Sequence, residues 1–387
     1  MAEWCAEHLR DVEGWRSAGL PISTTSNECA KLYDAALRQF VSWTDCHQLN
    51  GLEKTLEAMN AADATAGKKR LIWQNLNFSY LHGMLAFGLE ECEQYEEAEK
   101  EALKALEANK YDCWATHARA HVLEMQGRFR EGITFLESTV DDWKQGWMLA
   151  AHNYWHNALY YIEKEQNYEV PLTIFDNEIC PRAVRSGAML DMVDAVSLLW
   201  RLELEGVNVG DRWHNLPNLK EHVDDHVLFF NDIHMSTHAK IPRPFANDYR
   251  FLLVGIALQK GGYVDDEAKM RRSLLEFASS ADDDYTQAKV CREVGVAISD
   301  GIRHYISGNY DSCAKSMVPI RDRIVTIGGS NAQRDLFTQT IIHACINSSD
   351  PDVFSKAPMI LDERNAIKKN SPINERLALE FRRRHPL

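Results

Sequence analysis

The feature that most constrains the fold is a matched pair of helix-turn-helix stretches between residues 113 and 168. Aligned on the turn aromatics Phe129 and Tyr168, His117 falls on His156, His121 on Tyr160 and Glu124 on Glu163. Within the first stretch these residues follow an i, i+4, i+7 series, so they share one face of a helix. If consecutive hairpins stack as tandem repeats do, His156, Tyr160 and Glu163 lie on the neighbouring helix and face the same groove.

The spacing of the turn aromatics extends this pattern along the chain. Tyr95 precedes Phe129 by 34 residues, the tetratricopeptide period. The next step, to Tyr168, is 39 residues, which places a five-residue extension around Asp142 to Ala151. Trp155 stands where the repeat wants tryptophan. A later unit is marked by Gly301 for close helix packing, a turn at Gly308 and Asn309, then Tyr310 and Cys313 on the second helix. No strand-like alternation competes over a useful length. The expected fold is therefore all-α, a tetratricopeptide-type superhelix of helical hairpins.

Local signals supply the punctuation. Thr25 with Glu28 fits a capping box that opens a helix through Trp43, and a second helix follows at about 51–61. Residues 62–70 lose apolar periodicity and carry Gly67, Lys68, Lys69 and Arg70, which reads as a junction. This divides the chain into an N-terminal helical segment, 1–70, with a short join to the rest, and a repeat domain, 71–387. Gly206 is a helix stop, Pro242 and Pro244 mark a loop, and 246–260 with 264–278 form a further pair. Gly328 and Gly329 end one helix, while Ser330 and Gln333 cap the next; the last runs over about 374–384.

Composition bounds the function. The net charge of −14 opposes nucleic acid as the main partner, because a phosphate backbone needs a basic surface. Arg382, Arg383 and Arg384 are too few to reverse that and read as a solvated tail. No run of eighteen apolar residues exists to span a bilayer. The start of the chain lacks a basic and then apolar leader, and the nine cysteines are scattered without a Cys-x-x-Cys pair. These traits point to a reducing, cytoplasmic setting without a membrane.

Nine of the fifteen histidines fall between 117 and 238, which directs attention to that region. His117 and His121 have the i, i+4 spacing of a metal chelate, and Glu124, His156 or Glu163 could complete the ligand set. The plainer reading is a set of polar residues satisfying one another, since no His-Glu-x-x-His signature is present. A second cluster is His222, Asp224, Asp225 and His226, followed by Asn231, Asp232, His234 and His238. It fits acid-base chemistry or, more simply, helix-end hydrogen bonding. Gly328-Gly329-Ser330 with Arg334 could hold an anion, but it lacks a phosphate-loop ending and capping already accounts for Ser330. No nucleophile elbow or active-site cysteine context occurs.

The wording of the chain adds a resemblance. Leu20 to Glu28, His117 to Met125, His152-Asn153-Tyr154-Trp155-His156, Phe230-Asn231-Asp232-Ile233-His234 and Gly328 to Asp335, in that order, resemble the tetratricopeptide repeat protein 38 family over about Trp15 to Arg376. The resemblance implies a cytosolic all-helical superhelix and brings no settled reaction. Members of that family carry several more helices between the stretches matching Ala61-Ala62-Asp63 and Tyr80, so a deletion, splice form or gene-model difference is implied here.

The function expected from these residues is a binding protein or adaptor, with no required cofactor, whose groove takes a protein or peptide, or a small polar ligand. The groove contacts are His117, His121, Glu124, His156, Tyr160 and Glu163, with Asn231, Asp232 and His234 as a weaker second group. The alternative is an enzyme, metal-dependent through His117, His121 and Glu124, that uses the same clusters. A third reading makes the six positions a buried, mutually bonded scaffold with no pocket.

Overall fold

The computed structural model describes residues 3–20, 22, 24–42, 44–65, 78–146, 149–164, 168–216, 256–280 and 286–386. Among these residues the chain is all-helical, and no helix is long and apolar enough to cross a membrane. The contacts divide it into two compact units. The first comprises Met1–Leu123 and Glu131–Asn153, the second Glu124–Arg130 and Tyr154–Leu387.

The first unit is built from helix pairs. α1 (Asn27–Ser42) packs against α2 (Gly51–Thr65), and α3 (Phe78–Glu91) against α4 (Tyr95–Ala108). α5 (Cys113–Met125) and α6 (Phe129–Ser138) follow, with α5 contributing to this unit as far as Leu123. On α4 the buried face is Ala98, Ala102 and Ala105, an i, i+4, i+7 stripe. Ala102 and Ala105 pack on Ala86, Ala115 and Ala118 of the adjoining helices. Side chains this small let helix axes approach closely. The opposite face carries the glutamates and lysines, which stay in water.

Two boundaries differ from expectation. The cap of α1 is Ser26, whose Oγ accepts from the Cys29 amide at 3.1 Å, so the helix opens one residue later than Thr25 would set it. Thr24 explains the shift, because its Oγ1 accepts from the Ser26 amide and turns the chain there. α2 continues through Thr65, past the point read as a junction, since alanine at 61, 62 and 64 has a high intrinsic helix propensity. The stretch 66–77, with the rest of that junction, lies outside the described residues.

Asp112 ties the second pair of helices to the third. It is fully buried, and its Oδ1 accepts from the amides of Trp114 and Ala115 at 3.0 and 3.1 Å, capping α5. A Cβ on Gly83 of α3 would stand 2.7 Å from Asp112 Oδ2, so only glycine fits there. Burial pushes the Asp112 carboxyl up to about 7, against the pull of the two amides. Its folded-state pKa is therefore above the unfolded value of about 4, and stability is lost as pH rises through that window. Asp112→Asn keeps the cap without the charge. It is expected to melt close to wild type near pH ~5 and above it near pH ~8, by on the order of 1 kcal/mol. Melting curves at the two pH values check this; a gap that does not widen refutes it.

In the second unit, α7 (Leu149–Lys164) contributes from Tyr154 onward, followed by α8 (Glu169–Ile174), a π turn at Phe175–Ile179, α9 (Cys180–Ser186) and α10 (Met189–Leu204). Further on come α11 (Val264–Ser280), α12 (Val296–Ile306), α13 (Tyr310–Met317), α14 (Asn331–Asn347), α15 (Ala357–Ile367) and α16 (Pro372–Arg384). α14 is the hub, packing on α10, α12, α13, α15 and α16. Trp200 of α10 is buried and donates its Nε1 hydrogen to Thr340 Oγ1 of α14 at 3.0 Å.

The expected punctuation is largely in place. The second helices of three hairpins open on the turn aromatics Tyr95, Phe129 and Tyr310, and α8 opens one residue after Tyr168. Gly301 of α12 is held small by Met317, whose Cγ would lie 2.3 Å from an added Cβ. Gly206, Gly308 and Gly328 take positive φ at helix ends, and Ser330 with Gln333 forms the capping box that opens α14. The extension before α7 contains a helical turn, Val140–Trp143, with Trp143 buried and bonded to the Leu136 carbonyl at 3.1 Å.

Candidate functional site

Each of the six residues expected to line a groove is buried, none more than 3% exposed. His117 and His121 belong to the first unit; Glu124, His156, Tyr160 and Glu163 belong to the second. The two groups sit in different chemical surroundings.

In the second unit the polar cluster is a balanced ion network. Glu124 Oε2 accepts from His156 Nδ1 at 2.6 Å, the inter-hairpin histidine-glutamate contact that the aligned register suggests. Lys368 Nζ lies 3.3 Å from Glu124 Oε1 and 2.9 Å from Glu163 Oε1. Glu163 also accepts from Ser371 Oγ at 3.0 Å and from the Ile373 amide at 3.3 Å. Arg364 binds Asp335 through a two-pronged pair at 2.7 and 2.8 Å, and Arg201 stands 3.7 Å from the same carboxylate. Three carboxylates, Glu124, Glu163 and Asp335, thus meet three cations, Arg201, Arg364 and Lys368. Tyr160 is buried on the same helix as His156 and Glu163.

The electrostatics follow from this balance. Burial alone would raise the carboxyls of Asp335 and Glu163. The adjacent Arg364 and Lys368 outweigh it and hold both below the usual carboxylate range. Burial would likewise deprotonate Lys368, but Glu163 and Glu124 hold its pKa above the ordinary lysine value. Asp335, Glu163, Arg364 and Lys368 therefore stay charged at neutral pH.

Beside the network lies a cavity of about 450 Å³, entirely within the second unit. Ile324, Val325, Ile341, Ile360 and Ile367 supply an apolar lining, and Arg364, Lys368 and Asp335 form a polar wall. Arg321, paired with Glu363 at 2.9 Å, and Arg334 also line it. Val325 and Ile367 are more than half exposed, so the apolar surface continues to the mouth. Arg334 hydrogen-bonds to the carbonyls of Gly328 and Gly329 and to Asn331 Oδ1. Ser330 serves the helix cap, as its spacing from Gln333 indicates.

In the first unit the cluster consists of imidazoles. His117 and His121 of α5 face each other, Nε2 to Nε2, at 2.8 Å. His152, from the first turn of α7, packs edge-on to His117 with ring centroids 4.8 Å apart. Glu90 of α3 places Oε1 3.4 Å from His121 Nδ1.

Sequence reasoning missed His152, Glu90, Arg201, Asp335, Arg364 and Lys368. A signal for two of them exists: Arg364 and Lys368 continue the core stripe of Ala357, Ile360 and Leu361, where a charge implies a buried partner. The weaker cluster of Asn231, Asp232 and His234, with His222, Asp224, Asp225, His226 and His238, lies outside the described residues. No protein-family model and no solved structure matches the chain.

Proposed function

We propose that this chain is a binding protein of tetratricopeptide type, resembling the tetratricopeptide repeat protein 38 family. Its ligand is a short peptide end or a small amphipathic acid seated in the cavity of the second unit. The observation that carries this reading is the combination of size and lining. A space of about 450 Å³ suits a small ligand or a few side chains, and its isoleucines favour an apolar body. Four cations line it against three acids: Arg321, Arg334, Arg364 and Lys368 against Asp322, Asp335 and Glu363. Arg334, whose hydrogen bonds run to the Gly328 and Gly329 carbonyls and to Asn331 Oδ1, offers donors to an anionic end.

Glu124, Glu163 and His156 serve this site at one remove. The two glutamates hold Lys368, whose side chain forms part of the wall, and His156 holds Glu124.

Thermal-shift and calorimetric titration with N-acetylated dipeptides, as free acids and as amides, tests the reading. The acids should bind about tenfold more tightly than the amides, as one charge-assisted hydrogen bond implies. Thr338, half-buried on the cavity wall, offers a plug: Thr338→Trp should abolish binding while leaving the helical signal intact. Equal binding of acids and amides, or affinity unchanged in Thr338→Trp, would overturn it.

A further inference from the structure

We propose that His117, His121 and His152, backed by Glu90, form a site for a divalent transition metal in the first unit. The three histidines offer ligand nitrogens that all lie within 4.8 Å of one another, and all are buried. Two come from adjacent turns of α5, the i, i+4 spacing that chelates, and the third arrives from the start of α7. Three imidazoles around one point form the ligand set of a zinc-type site that leaves a further position open. Softer or all-oxygen sites for copper(I), calcium or magnesium would need thioether, thiolate or carboxylate donors instead.

Glu90 is the second, independent observation. It is a buried carboxylate whose Oε1 lies beside Nδ1 of His121, the nitrogen opposite the one that faces His117. Its Oε2 has no hydrogen-bond partner among the described residues. A carboxylate behind an imidazole favours the tautomer that leaves Nε2 with its lone pair for a metal, and a hydrogen bond between them raises that nitrogen's basicity. Without a metal, the close Nε2 to Nε2 approach is a hydrogen bond whose direction follows the tautomers of the two rings. Ligation through both Nε2 atoms requires each ring to carry its proton on Nδ1. A buried +2 ion would supply the counter-charge that a carboxylate in this position calls for.

The ring packing supports the same geometry. Phe87 stacks on His117 with centroids 5.2 Å apart, and His152 lies 5.9 Å from His121 at a shallow angle of 29°. The rings are thus braced from α3 and α7 and lose little freedom when they ligate.

The test uses the full chain without a histidine tag, stripped with a chelator and titrated with cobalt(II) as a spectroscopic probe. One cobalt per chain should bind, with an intense visible d–d band of low-coordinate geometry, and zinc should displace it. His121→Ala and His152→Ala should each lose the band. Glu90→Gln, a near-isosteric change, should keep the stoichiometry and weaken affinity about 10- to 100-fold. His82→Ala, at a half-buried histidine paired with Glu101, should bind as wild type does. Circular dichroism confirms that each variant is folded. No saturable cobalt uptake, uptake indifferent to His121→Ala and His152→Ala, or a Glu90→Gln variant with unchanged affinity would overturn the proposal. Thr338→Trp should leave cobalt binding intact, which separates this site from the proposed ligand cavity.

Discussion

Replacing Arg364 by methionine is expected to destabilise the second unit by about 3–5 kcal/mol, because it leaves the buried Asp335 carboxylate without its main counter-charge. The guanidinium is 2% exposed and bonds to Asp335, Ser371 and Asn374, with Glu163 at 3.7 Å. Methionine fills most of the volume, so the loss is electrostatic rather than a cavity. In the wild type, Asp335 and Glu163 are depressed below their unfolded values. Their contribution is full above pH ~4 and disappears as pH falls through the folded-state pKa values. Without Arg364, burial is opposed at Asp335 only by Arg201 and Lys368, and the folded state gains more by protonating it. The difference between variant and wild type should therefore narrow from pH ~7.5 to pH ~4.5. Urea unfolding at both pH values measures it. A loss under about 1 kcal/mol at neutral pH, or a gap that widens in acid, would remove the ion network from the account of stability.

Gly127→Ala should cost about 2–5 kcal/mol, through a backbone contact rather than a lost interaction. Gly127 adopts φ +70°, and an added Cβ would stand 2.3 Å from the Lys369 carbonyl oxygen and 3.0 Å from Asn370 Cβ. Neither partner is a flexible tip that can swing away. The segment that must retreat carries Lys368, whose contact with Glu124 depends on that approach. Gly206→Ala is the control, since Gly206 has φ +80° and nothing within 4 Å of its added Cβ. That variant should lose only about 1–2 kcal/mol, the left-handed term alone. Equal losses at the two glycines, read from chemical unfolding, would show that the close approach contributes nothing.

Much of the helical frame was legible because its signals are local. The turn aromatics Tyr95, Phe129 and Tyr310 open second helices, and the Ser330 to Gln333 box needs only residues three apart. The shift from Thr25 to Ser26 shows the limit of such signals. Two hydroxyls and a serine compete for one cap, and a hydrogen bond from the Ser26 amide to Thr24 decides between them.

The functional residues were legible in part. His117, His121, Glu124, His156 and Glu163 drew attention by their register, and the bond between His156 and Glu124 joins two of them. Their burial did not follow from that register, because a polar face reads alike whether it meets water or another helix. Arg364, Lys368, Asp335 and Ser371 complete the network from more than 150 residues away in the chain, and no spacing rule reaches that far.

The amino-acid order alone determined that these residues form helices, where the hairpin turns fall and which side chains share a face, since each of those depends on contacts within a few residues. Which faces are dry, which carboxylate meets which cation and that Glu90 and His152 stand beside His121 were decided only by tertiary packing. A charge can be kept inside only where folding delivers its counter-charge, and that delivery is a property of the assembled unit.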